Sequence, residues 1–128
     1  MRINWSSNSE IEEAFDSSRA VQIENTIEVS GTTAYENGKV VGVGDVTLQT
    51  EYAIKKIEHI LVEAGLSLTD VVRTRIFITD ISLWKEVAKV HSYLFEDISP
   101  ASSIVEVSKL LYPDLLVEIE ATAIKEKS

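Results

Sequence analysis

Residues 100–124 read PASSIVEVSKLLYPDLLVEIEATAI, and the fold class follows from them. Two runs with strand character flank a short loop that holds Pro113. The first run, Ser103-Ile104-Val105-Glu106-Val107, is rich in β-branched residues, which suit a pleated surface. The second, residues 115–123, alternates. Side chains along a strand point to opposite faces in turn. Leu115, Val117, Ile119, Ala121 and Ala123 therefore share one face, and Glu118, Glu120 and Thr122 share the other. One apolar face and one acidic face describe a half-buried strand. Two carboxylates on one face repel, so the chain must either supply cations opposite them or leave that face in water.

Residues 71–79, VVRTRIFIT, offer the complement. Val72, Thr74, Ile76 and Ile78 fall on one face, and Arg73, Arg75 and Phe77 on the other. If the two strands are neighbours, this cationic and aromatic face meets Glu118 and Glu120. Further upstream, residues 19–23 and 26–33 read as two alternating strands joined by a tight turn at Glu24-Asn25. Asn37-Gly38 is a hairpin signal, because both central positions of a type I′ turn need positive φ. Residues 39–43 are the expected returning strand. Ile3 and Trp5 alternate with polar neighbours and suit an edge strand. Residues 10–15 fit either one helical turn or irregular chain.

Two helices separate these strands. Over residues 46–64, Ala53, Ile57, Ile60, Leu61 and Ala64 recur at helical spacing. Asp45 is placed to cap the first turn, and Gly65 to close the last in a left-handed conformation. Glu51 and Lys55 stand four apart, as a favourable surface pair does. The second helix covers about residues 83–96, with Ser82 as its candidate cap and Trp84, Val87, His91 and Leu94 along one side. Gly42 and Gly44 before Asp45 lack the third glycine and the strand context of a dinucleotide loop. They read as hairpin closure and capping.

The order β-β-β-α-β-α-β-β predicts an α+β sandwich, with the helices on one face of a mixed sheet. Residues 1–128 are expected to form one domain with its core at about residues 15–125. The other sheet face would carry Arg73, Arg75, Phe77, Glu118 and Glu120, and self-association is the expected way to cover it. The net charge of −9 argues against nucleic acid or an anionic membrane as partner, since both need basic patches. There is no cysteine, so neither a disulfide nor a thiolate metal site is available, which suits a cytoplasmic location. The two histidines have no clustered partner, so no metal site is expected.

Several segments together resemble the YjgF/RidA family of reactive-imine deaminases. They are Val29-Ser30-Gly31, the helix end Glu63-Ala64-Gly65-Leu66, the strand from Asp70 to Asp80, Pro100-Ala101 before Val105-Glu106-Val107, and Val117-Glu118-Ile119-Glu120-Ala121. The resemblance spans roughly residues 15–125. It implies a YjgF-like, chorismate-mutase-like fold and a homotrimer with ligand clefts between subunits. It also implies hydrolysis of small imines and enamines to oxo acids and ammonia without metal or organic cofactor.

Carried over residue by residue, the resemblance assigns Glu118 to the family glutamate that positions or activates water. Ser30 and Gly31 match the cleft Ser-Gly pair. The family motif Pro-Ala-Arg-Ser-Cys-Val-Glu-Val meets Pro100-Ala101-Ser102-Ser103-Ile104-Val105-Glu106-Val107 here. Its carboxylate-binding arginine thus falls at Ser102, and a hydroxyl does not replace a guanidinium that grips a carboxylate through two hydrogen bonds. A cleft tyrosine of the family falls near Ser17. Three functions follow: a deaminase of small imines or enamines, a ligand-binding or regulatory trimer that has lost the chemistry, or a purely structural or chaperone-like trimer. Arg19 and Arg75 either replace the arginine or neutralise carboxylates across the sheet. Ser102, Ser103, Trp84 and His91 complete the candidate binding residues. For His91 and Trp84 the plain alternatives are a hydrogen-bonded, partly buried histidine and a wall aromatic.

Overall fold

The computed structural model describes residues 1–127. Six strands form the main sheet, in the order β1-β2-β3-β8-β6-β7. They are β1 (Arg2–Trp5), β2 (Ala20–Ile23), β3 (Thr26–Thr32), β6 (Val71–Ile78), β7 (Ala101–Glu106) and β8 (Val117–Ile124). The remaining two, β4 (Tyr35–Glu36) and β5 (Lys39–Val40), form a separate ribbon. All neighbours are antiparallel except β6 and β7. The parallel pair is what α3 (Trp84–Leu94) makes possible, since a parallel neighbour needs a crossover connection. Helix α1 (Glu10–Phe15) links β1 to β2, and α2 (Val46–Glu63) follows the ribbon.

Strand β8 is central and meets the alternation expected of it. Leu115, Val117, Ile119, Ala121 and Ala123 are all buried under the helices. The four within β8, Val117, Ile119, Ala121 and Ala123, pack with Ile54, Ile57 and Leu61 of α2 and Val87 and Val90 of α3 in one apolar layer, while Leu115 precedes the strand. Burying these side chains is the main favourable term in the fold. The opposite sheet face is open, and there Arg75 stands across from Glu120 and Phe77 across from Glu118.

The caps of α2 are as expected. Asp45 accepts from the Leu48 backbone N–H at 3.0 Å, and Gly65 follows the helix at φ +87°. Asn37 and Gly38 have φ of +53° and +79°, as the turn requires.

Four local expectations are corrected. The returning strand spans only Lys39–Val40, because Gly42 and Gly44, both at φ +76°, turn the chain toward α2. Val72 does not share the buried face. A bulge between Val71 and Arg73 buries Val71 instead and leaves Val72 exposed. Ser82 does not cap α3. Its hydroxyl donates to Asp80, and Asp80 caps a short 3₁₀ turn, Ile81–Leu83, that precedes the helix. Lys55 pairs with Glu58 at 3.7 Å rather than with Glu51. Among the described residues no helix is long and apolar enough to cross a membrane.

Candidate functional site

The predicted site residues divide into groups on the two sides of the sheet. Glu118, on the open face of β8, is half-buried. Its carboxylate lies against Gly31, where a side chain would collide with it: a Cβ built on Gly31 would stand 1.9 Å from Glu118 Oε2. The bulge in β3 between Val29 and Thr32 puts Ser30 and Gly31 at this corner. Of the open-face carboxylates, Glu120 pairs with Arg75 at 3.9 Å, and Glu28 accepts from Thr122 at 2.6 Å. Glu118 has neither an ion pair nor a hydrogen bond among the described residues. Burial, and then the neighbouring Glu120 charge, push its pKa above the ordinary value, against a smaller lowering by Arg19.

Arg19 reaches the same corner from the residue just before β2. Its guanidinium donates to Ser30 Oγ at 3.0 Å and to Thr32 Oγ1. Burial lowers its pKa, while the charges of Glu12, Glu118 and Glu36 act the other way. Beyond it runs an open groove of about 820 Å³ between α1, the ribbon and α2. Lys56 on the groove wall is already held by the carbonyls of Thr33 and Tyr35, at 3.2 and 3.0 Å, and by Glu36 at 3.6 Å. Arg75 stays apart from Glu118, in a second groove with Ser30 and Glu28.

Ser102, Trp84 and His91 lie on the other side of the sheet. A cavity of about 260 Å³ opens between α3 and the β6–β7 pair. Trp84, Val87 and His91 come to it from α3, and Ile76, Ser102 and Ile104 from the strands. Ser103 edges the cavity, and its hydroxyl accepts from Arg73 at 2.8 Å. Parallel register sets Ser102 beside Thr74, with their hydroxyl oxygens 2.5 Å apart. Thr74 Oγ1 lies 2.9 Å from His91 Nε2. His91 is thus a partly buried, hydrogen-bonded histidine whose ring also packs on Phe95. Burial lowers its pKa. Trp84, 46% exposed, forms the cavity's rim.

Thr74 is the site residue that sequence reasoning missed. The signal was present: one hydroxyl on a strand face otherwise made of Ile76 and Ile78. Within one chain, then, Glu118, Gly31, Ser30 and Arg19 converge, whereas Ser102, Trp84 and His91 form a separate half. Among the described residues, no group of three or more metal-ligating side chains occurs.

A helix-backed sheet with one open face, carrying an unpaired carboxylate beside a Ser-Gly bulge, defines a class of small α+β protein. The family described as Endoribonuclease L-PSP matches residues 8–125. A RutC family protein of Pyrococcus abyssi is 40% identical over 85% of this chain and 86% of its own. The 3-aminoacrylate deaminase RutC of Acinetobacter baylyi is 38% identical over 81% and 82%. Among solved structures, a Mycobacterium tuberculosis member of the YjgF/YER057c/UK114 family superposes with a TM-score of 0.88. It is 47% identical and covers 98% of this chain and 100% of that one. The chain belongs to the YjgF/RidA family.

Proposed function

We propose that this chain hydrolyses a small imine or enamine in a cleft between subunits of a homotrimer, with Glu118 positioning and deprotonating the attacking water. The observation that carries this reading is the state of Glu118. It is half-buried, it lacks a donor, and its pKa is raised, which is the profile of a general base. Water adds to the C=N carbon as Glu118 accepts its proton, and Glu118 then returns that proton to the nitrogen, which gives the carbinolamine and regenerates the carboxylate. The carbinolamine then expels ammonia and leaves a carbonyl. The deaminase activity named for the Acinetobacter relative is of this type.

The division of the candidate residues supports the shared cleft. A cavity with Ser102, Trp84 and His91 has no carboxylate, and the Glu118 corner has no enclosing wall. A neighbouring subunit supplies each with the other. The endoribonuclease description carried by the family fits poorly with a net charge of −9 and three carboxylates on the open face, since RNA needs cations along its phosphates. A cytoplasmic setting suits a cysteine-free chain acting on a small metabolite.

Ser102 favours a second reading, a trimer that binds a small ligand without turning it over. Ammonia release from 2-aminoacrylate and from its uncharged primary amide separates the two. Turnover of either compound that falls at least about 100-fold in Glu118→Ala supports the hydrolase. A wild-type protein inert on both, or a Glu118→Ala variant as active as wild type, sinks it.

A further inference from the structure

The cavity between α3 and β7 has a polar end made of three linked groups, Ser102, Thr74 and His91. No lysine, arginine, aspartate or glutamate lines it among the described residues. Two proton arrangements keep both links of the chain, and the 3.5 Å approach of Ser102 Oγ to His91 Nε2 offers Ser102 a further acceptor inside it. In one, Ser102 donates to Thr74, and Thr74 donates to His91 Nε2. In the other, His91 Nε2–H donates to Thr74, Thr74 donates to Ser102, and Ser102 donates to the Pro100 carbonyl, 3.2 Å away. In both, the Ser102 proton is spent inside the chain and its oxygen keeps a free lone pair. Thr74 is fully buried, so Ser102 is the hydroxyl of the chain that meets a ligand, with His91 beside it on the cavity wall. The rest of the wall is mainly apolar, with Ile76, Val87, Ile104 and Trp84, and carries Ser92 and Ser103 as well.

We propose that this cavity is a subsite for an uncharged group that donates an N–H or O–H to Ser102 and rests an apolar body against Ile76, Ile104 and Trp84. A carboxylate is disfavoured by the same features: it brings no proton for the Ser102 lone pair, and the nearby guanidinium groups, Arg73 at the cavity edge and Arg19 at the Glu118 corner, already donate to hydroxyls. Burial keeps His91 neutral at neutral pH, so it adds no charge. Two cations stand just outside the lining: Arg73, whose guanidinium is engaged with the Ser103 hydroxyl at 2.8 Å, and Lys85, whose ammonium lies 5.8 Å from the centre of the Trp84 ring, at the rim. The inference deepens the shared-cleft reading and rests on it. It makes the substrate's far end an amide or alcohol in place of an acid.

Isobutyramide and isobutyrate test it as an uncharged and anionic pair of one shape. The trimer is titrated with each while the Trp84 indole N–H resonance, assigned with Trp84→Phe, is followed by NMR. Isobutyramide should shift the resonance and isobutyrate should not. Ser102→Ala should weaken the amide about fivefold, the worth of one hydrogen bond. Ser102→Arg should turn the preference toward isobutyrate. Isobutyrate binding as tight as the amide in wild type, with or without dependence on Lys85, overturns the proposal. So does a Ser102→Ala variant that binds the amide like wild type, and so does no shift with either compound. The readout is binding, so an inert protein that prefers the amide loses only the hydrolase reading. An active protein that prefers isobutyrate loses only the subsite.

Discussion

At the scale of the residue, Glu118 is held in a place that disfavours its charge. Burial and Glu120 raise its pKa above 4.5, its ordinary value, which serves for the unfolded chain. Between those two values the folded protein keeps a proton that the unfolded chain has released. Stability therefore falls as pH rises through that window, and the full deficit persists above it. Glu118→Gln should melt higher than wild type at pH 7, and the advantage should fade as the pH drops below 4.5. Calorimetric Tm values of both proteins from pH 4 to 8 check this, and a variant that melts lower than wild type at pH 7 contradicts it. The place of Glu118 on the face away from the core was legible in its alternation with Val117 and Ile119. Its lack of a partner was not, because that depends on strand register. Register puts Phe77, not an arginine, opposite Glu118. The link from Ser102 through Thr74 to His91 was hidden for the same reason: it joins three elements far apart in sequence.

At the scale of the element, periodicity was the reliable guide. Helix α2 ends within one residue of the expected span, because both its ends carry strong signals in Asp45 and Gly65. Asp45→Ala removes an acceptor from an otherwise orphaned backbone N–H and should cost about 1 kcal/mol. Urea unfolding that shows no change in midpoint would show the cap to be idle. Helix α3 was harder to bound. Its first turn is replaced by a 3₁₀ turn that Asp80 caps from two residues before Ser82, and both residue types are good caps. The bulge at Val71 and Arg73 was invisible to a two-residue period, which has no place for an inserted residue. That bulge lets β6 show Val71 to the core while still aligning Arg75 with Glu120.

At the scale of the whole molecule, the helices cover one sheet face and leave the other with Phe77, Arg73, Arg75 and three carboxylates. Such a mixed face suits contact with copies of itself, where each arginine finds a second acid. Phe77→Glu adds a charge to that face beside Glu118 and should return the assembly to single chains. Light scattering should give three times the chain mass for wild type and the chain mass for the variant. A wild-type protein of single-chain mass removes the trimer and the shared cleft with it. The sheet's order also governs how the molecule is made. The strands β1, β2 and β3 join β6 and β7 only through β8. Until residues 117–124 have left the ribosome, the growing chain carries two half-sheets, each with an open edge that can hydrogen-bond to a stranger. Productive closure is then a single late event, the insertion of one strand between two waiting edges. Mutations that weaken β8 will show in cells as aggregation during synthesis before they show as a lower melting point in the test tube.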